Sequence, residues 1–231
     1  MAGTATAFVT GGGSGIGRAI AIRFAQDGHA VVCADLNLPA AEEVAAGIAA
    51  DGGQALAVGC DVTYEASVAA ALGAALAWTG RLDVVAANAG AMVEGGILSL
   101  SLADWRGALV FTASTVALSG MKGVAAYSAA KGAVAALTRQ LAADFAADGV
   151  RVNAVAPGAV RTPLSESQFR ARAADEAGFE ALLDEVIRRY PLSRWGRSEE
   201  IAEIVHLLGT DRGAWITGQI LPLDGGLLEL R

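Results

Sequence analysis

Short apolar runs alternate along the chain with longer Ala-rich stretches whose apolar positions recur at helical spacing. The runs at Thr6 to Thr10, Ala30 to Asp35, Gln54 to Gly59, Leu82 to Ala87, Ala108 to Ala113, Val150 to Val155 and Gln219 to Leu223 predict seven strands. Between them, the stretches near Gly15 to Asp27, Ala40 to Asp51, Tyr64 to Trp78, Gly123 to Asp148 and Ser198 to Leu208 predict helices. This alternation predicts an α/β fold built on a doubly wound parallel sheet, with any ligand at the carboxyl ends of the strands. No repeat, linker or second domain interrupts the rhythm, so residues 1–231 read as a single domain.

Two places depart from the pattern. Residues 163–197 are polar and carry several arginines and acids at helical spacing without a strand, a candidate substrate lid above the carboxyl edge. At 101–114, SLADWRGALVFTAS, Ser101 is an N-cap, Asp104 complements a helix start, and Leu102 and Trp105 supply an apolar face. Gly107 then ends the helix after barely two turns, and a buried strand runs on to Ser114. As helix, the seven residues 101–107 rise about 10 Å against about 17 Å for a five-residue strand. Extended, they reach about 23 Å. The chain therefore connects, but part of one sheet face is expected to lose its helix.

The sequence is 231 residues long and 54% hydrophobic, enough for a sizeable core. Its net charge of −7 and pI of about 4.8 disfavour nucleic acid and anionic membranes as partners. No signal peptide pattern opens the chain, and the charge-free run Gly107 to Met121 is too short and too rich in Ser, Thr and Gly to span a bilayer. A cytoplasmic protein is expected. Cys33 and Cys60 end apolar runs and read as reduced core residues, and no metal set is evident. His29 in a turn and His206 on a helix have no motif partner and read as structural.

VTGGGSGIG follows the first predicted strand and opens the first helix. Gly11, Gly15 and Gly17 stand where backbone must turn tightly and approach a phosphate, and the helix-start N–H groups and dipole favour a pyrophosphate there. Gly11, Ser14, Gly15, Ile16 and Gly17 are the candidate contacts. Asp35 ends the second strand 18 residues beyond Gly17, where a ribose-binding acid is expected. Its carboxylate accepts hydrogen bonds from ribose hydroxyls but repels a 2′-phosphate, so NAD is favoured over NADP. Asp61 and Val62 after the third strand, and Asn88, Ala89 and Gly90 after the fourth, lie where the adenine and adjoining ribose would rest.

YSAAK places Tyr127 and Lys131 on one helical face. A free phenol has a pKa of about 10, and a neighbouring ammonium favours the phenolate. Tyr127 then serves as acid or base. Ser114, 13 residues earlier at the end of the fifth strand, is placed to hydrogen-bond a substrate oxygen. Met92, Val116, Met121, Leu164 and Phe169 are candidates to line an apolar substrate pocket or to pack in the core.

Together, in order, the glycine loop, Asp35, Asp61, Asn88-Ala89-Gly90, Ser114, Tyr127-x-x-x-Lys131, RVNAVAPG at 151–158, Thr162 and DGG at 224–226 resemble the classical short-chain dehydrogenase/reductase family, which has a Rossmann fold. The resemblance spans nearly the whole chain. It implies Tyr127 as catalytic acid/base and Ser114 as the positioner of the substrate oxygen. Lys131 would bind the nicotinamide ribose, and the Pro157 to Thr162 stretch, with Pro157, Gly158, Val160 and Thr162, would hold the nicotinamide end. Hydride would pass between the nicotinamide and a secondary alcohol or ketone in a homo-oligomer, a dimer or tetramer. The chain departs from the family after Arg106, where about two dozen residues of a crossover helix are missing against a helical rise of about 1.5 Å per residue. That helix carries a relay Asn and half of the main dimer interface in the family. Either the chain is a natural or engineered deletion with impaired turnover and altered assembly, or the working protein has residues this sequence omits. A dinucleotide-binding protein without efficient catalysis is the competing function.

Overall fold

The computed structural model describes residues 4–89 and 107–230. Seven strands form one parallel sheet: β1 (Thr6–Thr10), β2 (Ala30–Asp35), β3 (Gln54–Gly59), β4 (Val84–Ala87), β5 (Ala108–Thr112), β6 (Arg151–Pro157) and β7 (Ile220–Leu223). Their order across the sheet is β3-β2-β1-β4-β5-β6-β7. The chain leaves β1 in one direction to reach β2 and returns to its other side as β4, so the order reverses between β1 and β4. In such sheets the crevice at that reversal takes the ligand.

Strand residues alternate between two cores, as the pleat requires. Ala7, Val9, Val31, Cys33, Val84, Ala86 and Val110 face α1 (Gly15–Gln26), α2 (Leu38–Ala50) and α7 (Ser198–Gly209), which contribute Ile20, Phe24, Val44, Ile48, Val205 and Leu208. Phe8, Val32, Val85, Leu109 and Phe111 face the other way, towards α3 (Glu65–Thr79) and the long α4 (Ala125–Phe145). Each Val, Leu, Ile or Phe among them contributes about 1.5–3 kcal/mol when fully buried. Two shorter helices, α5 (Pro163–Arg170) and α6 (Glu176–Ile187), make up the polar excursion between β6 and α7.

The predicted strands and helices are all present, with ends shifted by a few residues. β4 begins at Val84 because Asp83 is used as a tie: its carboxylate accepts from the Thr6 N–H at 2.7 Å and pairs with Arg81. The predicted helix from Gly123 to Asp148 starts at Ala125, after Gly123 at φ 84°, and ends in a separate 3-10 turn at Ala146–Asp148. Only residues 88–107 join β4 to β5, which pair in parallel from Val84 opposite Ala108 to Ala87 opposite Phe111. The short helix expected over Ser101 to Arg106 lies outside the described residues. The uncovered face expected beside it is not seen: Phe8, Val85, Leu109 and Phe111 are all buried. They share a cluster with Val68 and Leu72 of α3 and Val134, Leu137 and Leu141 of α4.

Arg151 ties the far end of the sheet to α7. Its Nη1 donates to the carbonyls of Leu208 at 2.6 Å and Gly213 at 3.0 Å, and its Nη2 to that of Thr210 at 3.0 Å. These carbonyls lie at or just beyond the C-terminus of α7, where the helix dipole favours a cation. Arg151→Ala is expected to lower the unfolding free energy by about 2–3 kcal/mol, measured by urea denaturation, because several carbonyls lose a charged donor at once. Arg151→Lys should recover only part of the loss, since an ammonium has no planar fork to serve them together.

Candidate active site

The carboxyl ends of β1, β4 and β5 are fastened by three polar side chains. Thr10 Oγ1 accepts from the backbone N–H groups of Asn88 at 3.0 Å and Ala89 at 2.9 Å. Asn88 Nδ2 donates to the Thr10 carbonyl at 3.2 Å, and Asn88 Oδ1 accepts from the Thr112 hydroxyl at 3.3 Å. Asn88 and Ala89 therefore sit beside the glycine loop, whereas Gly90 and Met92 lie outside the described residues.

In the loop, Gly11 has φ 67° and Gly15 has φ 51°, both in the left-handed region that favours glycine. At Gly17, an added Cβ would lie within 2.7 Å of Asn88 Nδ2 and closer still to the Gly11 carbonyl. Only glycine allows α1 to start against the loop. Ser14 caps α1 with extended backbone, but its side chain makes no capping bond, and the first turn holds no acid. The helix start thus keeps donors and a positive dipole end for an anion. Ile16 is half-buried against the core. A side chain added at Gly15 would meet Thr162 Cγ2 at 3.5 Å, so Thr162 stands across from the loop.

Asp35 lies next to that loop. Its Oδ2 accepts from the Gly13 N–H at 2.9 Å and its Oδ1 from the Asn37 N–H at 2.9 Å. No lysine or arginine occurs among residues 36–40. Asp61 is half-buried, and its Oδ1 accepts from both the N–H and hydroxyl of Thr63 at 2.9 and 2.7 Å, which holds the carboxyl below its usual range. Val62 is half-buried and packs on the α3 side. These features fit a dinucleotide: an open helix start for phosphates and an acid at the end of β2 for ribose hydroxyls.

Beyond β5, Ser114 caps a 3-10 turn at Thr115–Ala117, its Oγ accepting weakly from the Val116 N–H at 3.5 Å. Tyr127 and Lys131 lie in the first turns of α4. Lys131 Nζ donates to the Thr112 carbonyl at 2.8 Å and lies 5.9 Å from the Tyr127 ring centroid. Burial pushes the Lys131 pKa down, because the ammonium loses water and gains one carbonyl. Tyr127 is half-buried, and among the described residues its hydroxyl makes no hydrogen bond.

The segment after β6 is held from several sides. Pro157 ends the strand, and the Gly158 N–H donates to the Leu223 carbonyl at 3.0 Å. The Ala159 N–H donates to the Tyr190 hydroxyl at 2.8 Å, and Val160 bridges to Gly196. Thr162 caps α5 in a reciprocal box with Ser165. Sequence reasoning missed Tyr190, whose ring would be 2.8 Å from a Cβ at Gly158. It also missed the Thr112 carbonyl that holds Lys131. Of the proposed pocket residues, Val116 is buried, Met121 and Leu164 are exposed, and Phe169 packs edge-on against Trp195 at 5.8 Å.

The sheet is thus doubly wound with a glycine loop at its reversal, and Ser114, Tyr127 and Lys131 follow along the next crossover. Residues 5–108 match the short chain dehydrogenase family and residues 102–228 the enoyl-(acyl carrier protein) reductase family. The chain is 35% identical over 243 residues to a meso-2,3-butanediol dehydrogenase of Serratia marcescens, covering 94% of this chain and 92% of the relative. It is 33% identical over 246 residues to a cyclohexanol dehydrogenase of an Acinetobacter strain, covering 95% and 93%. An actinorhodin polyketide ketoreductase variant, solved with NADPH, superposes with a TM-score of 0.86 at 27% identity over 98% of both chains. The chain belongs to the short-chain dehydrogenase/reductase family and is an oxidoreductase; that family binds nicotinamide cofactors. Since 94% of 231 residues is about 217, about 26 of the 243 positions aligned with the butanediol enzyme have no residue here.

The buried ammonium gives a pH signature. Its folded pKa lies below the usual value of 10.5, so between the two values the unfolded chain binds more protons and stability rises with pH. From pH 7 towards 10.5, wild type should therefore gain stability relative to Lys131→Met, read as a growing difference in urea midpoint. A constant difference across that range would contradict the burial of the charge.

Proposed function

We propose that the chain transfers a hydride between NAD(H) and a small, largely apolar secondary alcohol or its ketone. The observation that carries this reading is the Tyr127 and Lys131 pair on one face of α4, tied through the Thr112 carbonyl to the strand that leads to Ser114. The nicotinamide, when bound, supplies or accepts the hydride. Ser114 holds the substrate oxygen, and Tyr127 gives or takes the proton at that oxygen. Lys131 binds the nicotinamide ribose and favours the phenolate. The N–H groups of Gly11, Ser14, Gly15, Ile16 and Gly17 receive the pyrophosphate. Asp61, Val62, Asn88, Ala89 and Gly90 border the adenine side, and Pro157, Gly158, Val160 and Thr162 border the nicotinamide.

NAD is favoured over NADP because a 2′-phosphate would meet the Asp35 carboxylate with no cation among residues 36–40 to offset it. The substrate class follows from the exposed apolar Met121 and Leu164, and butanediol and cyclohexanol in the relatives' names are alcohols of that kind. Exposed Leu76 and Trp78 on α3 support a homo-oligomer. Free, buried Cys33 and Cys60 support a single domain working in the reducing cytoplasm. No described helix is long and apolar enough to cross a membrane. The segment 163–197 is the substrate lid.

The short connection of residues 88–107 favours a second reading, dinucleotide binding with little turnover. A screen of secondary alcohols and ketones with NAD and NADP separates the two. For the enzyme, Tyr127→Phe should lower kcat by about 10²–10⁴-fold with NAD affinity retained. NAD-dependent thermal stabilisation without turnover of any substrate would instead support the binding protein. Asp35→Ala should weaken NAD by about 10- to 100-fold, by the loss of charged hydrogen bonds of about 1.5–3 kcal/mol, and leave NADP little affected. Titration by fluorescence quenching measures both.

A further inference from the structure

Two histidines that have no sequence partner meet one acid at the opposite edge of the sheet from the glycine loop. Asp27 and His29 flank the turn from α1 into β2, and His206 lies in the last turn of α7. His206 Nε2 is 2.9 Å from Asp27 Oδ2. One ligand atom from each of the three residues lies within 4.8 Å of the other two. The two imidazole rings stand at 81° with centroids 6.1 Å apart, each packed on Phe24 at 5.1 and 5.0 Å.

We propose that Asp27, His29 and His206 form a binding site for a zinc-type divalent transition metal, with water completing the coordination. Two imidazoles and one carboxylate are the donor set that such ions take, at about 2.0–2.2 Å each. Tetrahedral coordination at those lengths sets donors about 3.3 Å apart, so the widest separation closes by about 1.5 Å. Asp27 supplies that movement, because its side chain is 48% exposed while that of His206 is 1% exposed. The exposed carboxylate also gives the ion its path in and leaves a position for water.

The buried His206 ring marks the site as more than a surface pair. Its Nδ1 and that of His29 are both buried without a hydrogen-bond partner. These two Nδ1 atoms are left open, whereas His206 Nε2 already faces the Asp27 carboxylate. The charged groups nearest them are engaged elsewhere. Arg23 pairs with Glu203 at 2.8 Å, and Asp83 with Arg81 and the Thr6 N–H. Bound metal would join the α1–β2 turn to α7, adding its binding free energy to the packing of that face. The site lies a full length of α1, about 18 Å, from the glycine loop. Its role is to hold the fold, outside the hydride chemistry.

The full-length protein, freed of metal with a chelator, is incubated with zinc chloride or cobalt chloride and dialysed. We expect about one zinc per chain by elemental analysis, a visible d–d absorption typical of four-coordinate cobalt(II), and a melting temperature raised by several degrees. Asp27→Asn and His29→Gln change residues at a surface turn. Both should lose the stoichiometric metal and the shift while keeping the metal-free melting temperature. The His206→Gln variant is avoided because that ring is core. Less than about 0.2 zinc per chain in wild type, or cobalt bound with an octahedral spectrum alone, overturns the proposal. So does undiminished binding in both variants. Should a variant fail to fold, the wild-type stoichiometry and cobalt spectrum decide by themselves.

Discussion

The Asn88 side chain governs the geometry of the cofactor edge. It closes the ends of three parallel strands at once, through the Thr10 carbonyl on β1, its own place after β4, and the Thr112 hydroxyl on β5. Thr10 answers by accepting two N–H groups from the same turn. Parallel strands end in unpaired backbone groups, and at a sheet's centre those groups are remote from bulk water. A short amide that both donates and accepts satisfies them without adding bulk. Gly17 then presses against Asn88 Nδ2 and the Gly11 carbonyl, so the same side chain sets how closely α1 begins beneath the loop. The open donors of α1 thereby face the crevice where the strand order reverses.

The Tyr and Lys pair depends on this junction one step removed. Thr112 gives its hydroxyl to Asn88 and its carbonyl to Lys131, so a single residue at the end of β5 joins the cofactor edge to α4. Lys131 is held there against a desolvation penalty, which tertiary packing of α4 on the sheet must offset. The opposite wall is fixed by an uncharged device. Tyr190 is buried, its hydroxyl accepts the Ala159 N–H, and its ring closes over Gly158. Asp224 folds the final turn by accepting from Gly226 and Leu228. One wall therefore stores electrostatic cost near the chemistry while the other is conventional packing.

Elements whose causes are local were legible in the sequence. Strands β1, β2 and β3 fall on the residues the apolar runs mark; β1 and β2 are buried on both faces and so are written as continuous runs, while β3 is a half-buried edge strand. The glycine loop was legible because positive φ and close approach leave few residue choices. What the sequence hid depends on distance along the chain. Asp27 and His206 touch across 179 positions, and Arg151 reaches carbonyls 57 to 62 residues away. No period or motif encodes such pairs; the docking of α7 beside α1 creates the first, and its docking on the sheet beside β6 the second. Helix ends were misplaced for a related reason, since caps such as Thr162 with Ser165 and the tie at Asp83 are side-chain events that override propensity.

The short connection between β4 and β5 bears on function through what it leaves in place. Ser114 after β5, Tyr127 and Lys131 on α4, and Asp35 at the end of β2 lie on elements outside it, whereas Asn88 and Ala89 open it. The strand register on both sides is intact, with Val84 opposite Ala108 and Ala108 opposite Arg151. The buried state of Phe8, Val85, Leu109 and Phe111 means the sheet does not lose its apolar seal at this point. The two family matches meet within residues 102–108, at the end of this connection. The described framework on both sides of the connection therefore keeps its strand register and its buried faces. Asn88 anchors the turn beside the glycine loop and Thr112 carries the tie onward to Lys131, so the start of α1 and the start of α4 share one junction while resting on different strands.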